Sequence, residues 1–117
     1  MSDNLQAIPL GLVGFKDVTY NTIIVDDGNI YTVQNQDQVV IVYDGDILFD
    51  TSLLVNNKLF VIKNVSGGDI DVDLGDGELD YKTTVSTFTL ADYECIHLLY
   101  IDDGTTKAFF ILVQFVA

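Results

Sequence analysis

A chain of 117 residues with 49% hydrophobic content is about one domain's worth of sequence and holds enough apolar side chain for a packed core. Eighteen acids against five bases leave a net charge of −13, which repels phosphate backbones and anionic lipid, so nucleic acid and anionic membrane surfaces are poor partners and neither is expected. Cys95 is the single cysteine; with no intramolecular disulfide to form, the fold does not depend on an oxidising compartment.

The chain begins with "MSDNLQAIPLGLVGFK". Asp3 precedes the apolar part and Lys16 follows it, the reverse of a signal peptide's order. Pro9, Gly11 and Gly14 also break it well short of the ~20 apolar residues a membrane-spanning helix needs. The segment is too apolar for an idle tail and too interrupted for a helix or central strand. Residues 1–16 are therefore expected to be a docking arm that orders against a partner through Ile8, Pro9, Leu10, Leu12, Val13 and Phe15, ahead of one domain over 17–117.

From there the punctuation is Asp, Asn and Gly: "DDGN" (26–29), "DG" (44–45), "SGG" (66–68), "GDG" (75–77) and "DDGT" (102–105). Such residues tolerate the positive φ that tight hairpins require. Between them the pattern predicts strands over 18–25, 30–34, 38–43, 46–49, 58–65, 69–74, 87–90, 93–101 and 107–116, with room for one helical turn in 51–57. No sustained helical period and no internal repeat is present. Short strands at this spacing predict an all-β domain, an antiparallel β-sandwich or jelly roll of about eight strands.

The densest acidic stretch is "SGGDIDVDLGDGELD" (66–80). Its acids at 69, 71 and 73 alternate with Ile70, Val72 and Leu74, the two-residue period of a strand with one face buried. A helix–loop–helix calcium site starting at Asp69 would need Gly at its sixth position and Glu at its twelfth, where Leu74 and Asp80 stand. A solvated strand face is the reading, with no metal site; weak calcium binding near Asp73, Asp76 and Glu78 is the alternative. His97, the only histidine, lies two residues from Cys95 on the same face of a strand, but no second Cys or His completes a zinc site. None of Ser2, Ser52, Ser66 and Ser86 sits in a Gly-x-Ser-x-Gly elbow, so the expectation is no enzyme and no cofactor.

The final strand, "AFFILVQFVA", is apolar at both parities: Phe109, Ile111, Val113 and Phe115 on one side, Phe110, Leu112 and Val116 on the other. A domain of this size has one core, and a sandwich strand normally leaves its second face to water. "IHLLYI" (96–101) repeats the pattern. Phe110, Leu112 and Val116, with Leu98 and Tyr100, are thus expected at a subunit interface of a homo-oligomer; a third layer formed by the N-terminal segment of the same chain is the alternative.

From about residue 22 onward the chain resembles the small jelly-roll domains of tailed-phage virion proteins: head decoration or cement proteins, head fibres and tail-fibre tips. The resemblance is carried by "KLFVIKNVSGGDIDVDLGDGELD" and "FTLADYECIHLLYIDDGTTKAFFIL". Two departures stand out: "ILFDTSLLVNN" lacks a frequent Leu-Pro, and Phe109 and Phe110 stand where a tryptophan is common. The resemblance implies a homotrimer with a structural task and supplies no active-site residues to carry over. With no stalk or coiled-coil heptads in the chain, the expectation is a capsid decoration protein or short head fibre. It would bind the major capsid protein on the outer surface of the virion after assembly in the host cytoplasm. The alternative is a receptor- or glycan-binding tail-fibre tip.

Overall fold

The computed structural model describes residues 20–81 and 85–116. They form eight strands: β1 Thr22–Val33, β2 Val39–Phe49, β3 Lys58–Asn64, β4 Ile70–Asp73, β5 Glu78–Leu79, β6 Thr87–Leu90, β7 Cys95–Asp102 and β8 Lys107–Phe115. One 3₁₀ turn, Thr51–Leu53, follows β2. The all-β class and the strand number agree with the sequence pattern. Among the described residues no helix is long and apolar enough to cross a membrane. The arm and its residues Ile8, Pro9, Leu10, Leu12, Val13 and Phe15 lie outside the described residues.

The pairing is mixed, not wholly antiparallel as expected. β2 runs parallel to β1, β3 and β4, and β5 runs parallel to β8, whereas β3/β7, β4/β6 and β7/β8 are antiparallel. The cause lies in two glycine turns that are corners within strands instead of hairpins. Only residues 34–38 join β1 to β2. A link of that length reaches about 20 Å, yet a straight return beside a strand as long as β2 would need roughly 36 Å. The two strands must therefore bend and wind as successive turns of a coil.

The bends fall at "DDGN" and at "DG". β1 changes register against β2 between Val25 and Ile30, and Gly45 has φ 139°. A Cβ at Gly45 would run into the Asn29 carbonyl oxygen and lie 3.0 Å from Val25 Cγ1, so the corner admits only glycine. Asp37 holds the short link. It is buried and accepts hydrogen bonds from the Tyr31 hydroxyl at 2.6 Å and from Gln34 N at 2.8 Å. Burial first, then that carboxylate, push the Tyr31 pKa above its ordinary value.

Bending divides the sheet into two limbs. The first halves of β1 and β2 continue through β3, β7 and β8 to β5; the second halves continue through β4 to β6. The limbs enclose one core, where Phe49 of the second limb meets Phe60 and Phe109 of the first with ring centroids 5.2 and 4.8 Å apart. Val40, Val42, Ile62, Ile96, Leu98 and Tyr100 line the first limb's inner side, and Val33, Ile47, Ile70, Val72 and Leu90 the second's. In β4 the alternation read from "DIDVDL" is the one found: Ile70 and Val72 are buried, Asp71 and Asp73 exposed.

Candidate interaction surface

The outward side of the first limb is built by the same alternation that fills its core. Because β1, β2 and β3 are apolar at both parities, inward Val25, Val40 and Ile62 are flanked by outward Ile24, Val39 and Ile41, and Val61. Register aligns the outward residues in rows across the sheet. One row runs Ile24, Ile41, Lys63, Cys95, Phe115, and the next Thr22, Val39, Val61, His97, Val113. A third runs Leu59, Leu99, Phe110. None of these thirteen residues is buried. With strands ~4.8 Å apart and same-face residues ~6.8 Å apart along each strand, the face covers roughly 500 Å². That is at the upper end of the largest apolar patch a monomer normally carries.

A bulge in β8 decides which of its residues join this face. Leu98 pairs with Ile111 but His97 pairs with Val113, which leaves Leu112 as an extra residue. Parity is reset there: Phe109 and Ile111 pack inward, while Phe110, Val113 and Phe115 point outward with Leu99, His97 and Cys95. The alternation expected from the sequence, with Val113 and Phe115 on the side opposite Phe110, is corrected by this bulge.

The five residues expected at a subunit interface are thus separated. Leu98 and Tyr100 are 0% and 1% exposed; they belong to the core and are not available to a partner. Phe110 is half-buried, its ring 4.9 Å from that of Tyr81 in an edge-on contact. Leu112 and Val116 are 55% and 74% exposed at the rim. Sequence reasoning missed Ile24, Val39, Ile41, Leu59, Val61 and Leu99, although "TIIV", "VVIV" and "LFVI" show the same double parity as the final strand.

Few polar groups interrupt the face. Lys63 turns its ammonium away, donating from Nζ to the Tyr93 carbonyl at 2.6 Å. Burial pushes the Cys95 thiol above its ordinary pKa against the opposing pull of Lys63, so Cys95 is present as a thiol at neutral pH. His97 sits between Val61 and Val113, with Phe115 edge-on at 6.4 Å between centroids.

The outer side of the second limb is its opposite in character. Asp46, Asp71 and Asp73 line a hollow with Ile30, Leu48 and Thr87, and Asp46 Oδ1 accepts from Asp71 N at 2.8 Å. The carboxylates considered for calcium are partly engaged elsewhere. Asp73 Oδ1 accepts from Gly75 N at 2.8 Å, and Asp76 accepts from the Thr51 hydroxyl and from Lys107 Nζ, the latter at 3.2 Å. The Thr51 hydroxyl first, and Lys107 next among the favourable contacts, hold the Asp76 carboxyl below its usual pKa. Among the described residues no three acids, histidines or cysteines are grouped to hold a metal ion.

No protein-family model, no curated protein and no solved structure matches this chain.

Proposed function

We propose that this chain is a structural virion protein of a tailed phage, a homotrimeric decoration or cement protein that binds the major capsid shell and stabilises it. The observation that carries the reading is the outer face of the first limb, apolar across five strands. A second copy of the chain is the occupant that fits it best. The face holds almost no charge while the rest of the molecule is acidic, so three copies that turn it toward a common three-fold axis meet without repulsion, whereas an approach through the second limb sets Asp46, Asp71 and Asp73 against like charge. With Leu112, Val116 and Tyr43 at its rim, the face approaches the ~800 Å² per partner of a standard interface. The task assigned to the trimer, tying capsid subunits together, rests on the resemblance of "KLFVIKNVSGGDIDVDLGDGELD" and the strands after it to virion jelly rolls.

Val113→Asp tests the interface, because it places an unpaired charge on the β8 side of the proposed contact. Light scattering coupled to size exclusion should give trimers for the wild type and folded monomers for the variant; a wild-type chain that is monomeric at micromolar concentration ends this reading. An adhesive tail-fibre tip is the second reading, favoured by the exposed rings of Tyr20, Tyr43 and Tyr93. Antibody labelling of intact particles separates the two: signal over heads before tails attach fits decoration, and signal confined to fibre ends fits adhesion.

A further inference from the structure

β1 is the outermost turn of the coil. Among the described residues it pairs with β2 and with no other strand, so its second edge leaves backbone groups open along both limbs. That edge is apolar. Ile24 and Ile30 are each more than half exposed, whereas Ile41, the register partner of Ile24, is half-buried with a strand on either side. A long apolar edge is a template for one more strand. We infer that residues 5–16 of the same chain supply it, running parallel to β1 as a further turn of the coil, with Ala7 beside Ile24, Ile8 beside Val25 and Gly11 at the corner.

Register selects the segment. From Thr22 with Val39 to Val25 with Val42, the first half of β1 pairs with the residue seventeen further on. The corner glycines Gly28 and Gly45, both at positive φ, keep that spacing. Gly11 stands the same distance before Gly28, and Ile8 before Val25. The link agrees: residues 34–38 carry the chain from β1 to the parallel β2, and residues 17–21 are a link of equal length. Asn21, at the end of that link, lies along 34–38. Its backbone N donates to Gln38 Oε1 at 2.7 Å, its Nδ2 to the Gln36 carbonyl at 2.7 Å, and its own carbonyl accepts from Gln38 N at 2.9 Å. This is the course of a further coil turn and not of a hairpin folding back over β1. Asp37, within the link, is buried, and its Oδ1 has no hydrogen-bond partner among the described residues, an acceptor left for the donors of a link stacked on it. Pro9 then falls near the corner of an edge strand, where its missing N–H is tolerated.

Among the described residues the core closes without this turn, so proximity and exchange are the readouts and melting is not. In the full chain carrying Cys95→Ser, a short bifunctional thiol reagent is applied to three variants, each with Ile24→Cys and one of Ala7→Cys, Ile8→Cys or Gly14→Cys, after circular dichroism shows them folded. Ala7→Cys should link to Ile24→Cys within one chain and do so far faster than the other two. Faster linking of Ile8→Cys would mean a register slipped by one residue, and of Gly14→Cys an antiparallel hairpin; either result overturns the inference, as do equal rates, no linking, or links between chains. Amide exchange gives an independent reading on the natural sequence. Deleting residues 2–15 should speed exchange at alternate residues of 22–25 by about tenfold, the order expected for one lost backbone bond, and leave β2 unchanged. Unaltered exchange in β1 would show that no strand of this chain covers its edge.

Discussion

Gly77 has no room for a side chain. A Cβ there would lie 2.6 Å from Phe109 Cε2, 2.8 Å from Cδ2 and 3.1 Å from the Leu74 carbonyl oxygen, and the Phe109 ring is fixed in turn by Phe49 and Tyr100. Gly77→Ala should cost about 1–3 kcal/mol, the usual penalty for overpacking a core, read as a lower urea midpoint with an unchanged slope. Asn64 is the other residue held by close contacts, two local and one distant in sequence. It is fully buried, donates from Nδ2 to the Gly68 and Leu90 carbonyls at 2.8 and 2.9 Å, and accepts from Ser66 N at 2.9 Å. The turn "NVSGG" allows the two local bonds, but nothing in the sequence announces the third, because Leu90 lies 26 residues away at the end of β6. Asp71 and Asp73 were legible, since alternation alone places them. Asp76 carries a pH dependence of known sign: its folded pKa is depressed, mainly by the Thr51 hydroxyl, so its contribution is present above about pH 4 and is lost as pH falls through the lower folded value. The group is well exposed, its side chain 64% accessible, which keeps the contribution below about 1 kcal/mol. Unfolding midpoints below pH 4 should accordingly fall slightly less steeply for Asp76→Asn than for the wild type.

Strand β8 shows where periodicity stops being informative. Where only one parity is apolar, an extra residue announces itself by moving the apolar set to the wrong side; in "AFFILVQFVA" both parities are apolar and the bulge at Leu112 leaves no trace in the pattern. For the same reason "DDGN" and "DG" read as hairpins: a glycine corner inside a bent strand and a hairpin turn require the same residues, and only pairing with β2 separates them. Deletion of Leu112 tests the bulge. Ile111 would then be followed directly by Val113, opposite His97 as before, so the rows of the outer face should survive. The shortened chain should remain folded, melt within about 4–8 °C of the wild type, the shift that ~1 kcal/mol produces in a domain of this size, and still self-associate. A strictly alternating strand would instead turn Val113 and Phe115 over on deletion. Folded monomers in light scattering would therefore show that no bulge sets the parity.

At the scale of the molecule the two limbs share one core but offer opposite surfaces, acidic over β4 and apolar over β3, β7 and β8. That division was half legible. The solvated face of "DIDVDL" and the double parity of the last strands could be read from composition and period, but the parallel winding that places them on separate limbs depends on β2 pairing with strands up to 25 residues away, as Ile47 does with Val72. The same division bears on the arm. Among the described residues, every buried apolar side chain of the core lies between Val25 and Phe109, and the register of both limbs is set by pairs from Thr22 onward. Deleting residues 2–15 should therefore leave the melting temperature of the domain within the few degrees that ~1 kcal/mol represents. If the arm is the docking element, its Ile8, Leu10, Leu12, Val13 and Phe15 contribute roughly 1.5–3 kcal/mol each when fully covered, less the entropy of ordering the backbone. Three arms on one trimer then act together, since the first contact makes the others intramolecular. The truncated protein should form trimers that no longer co-sediment with capsids, and adding one intact chain to a mixed trimer should restore only weak binding. Full saturation of capsids by the truncated trimer would place the docking contact on the domain itself, and unfolding on truncation would make the arm part of the fold.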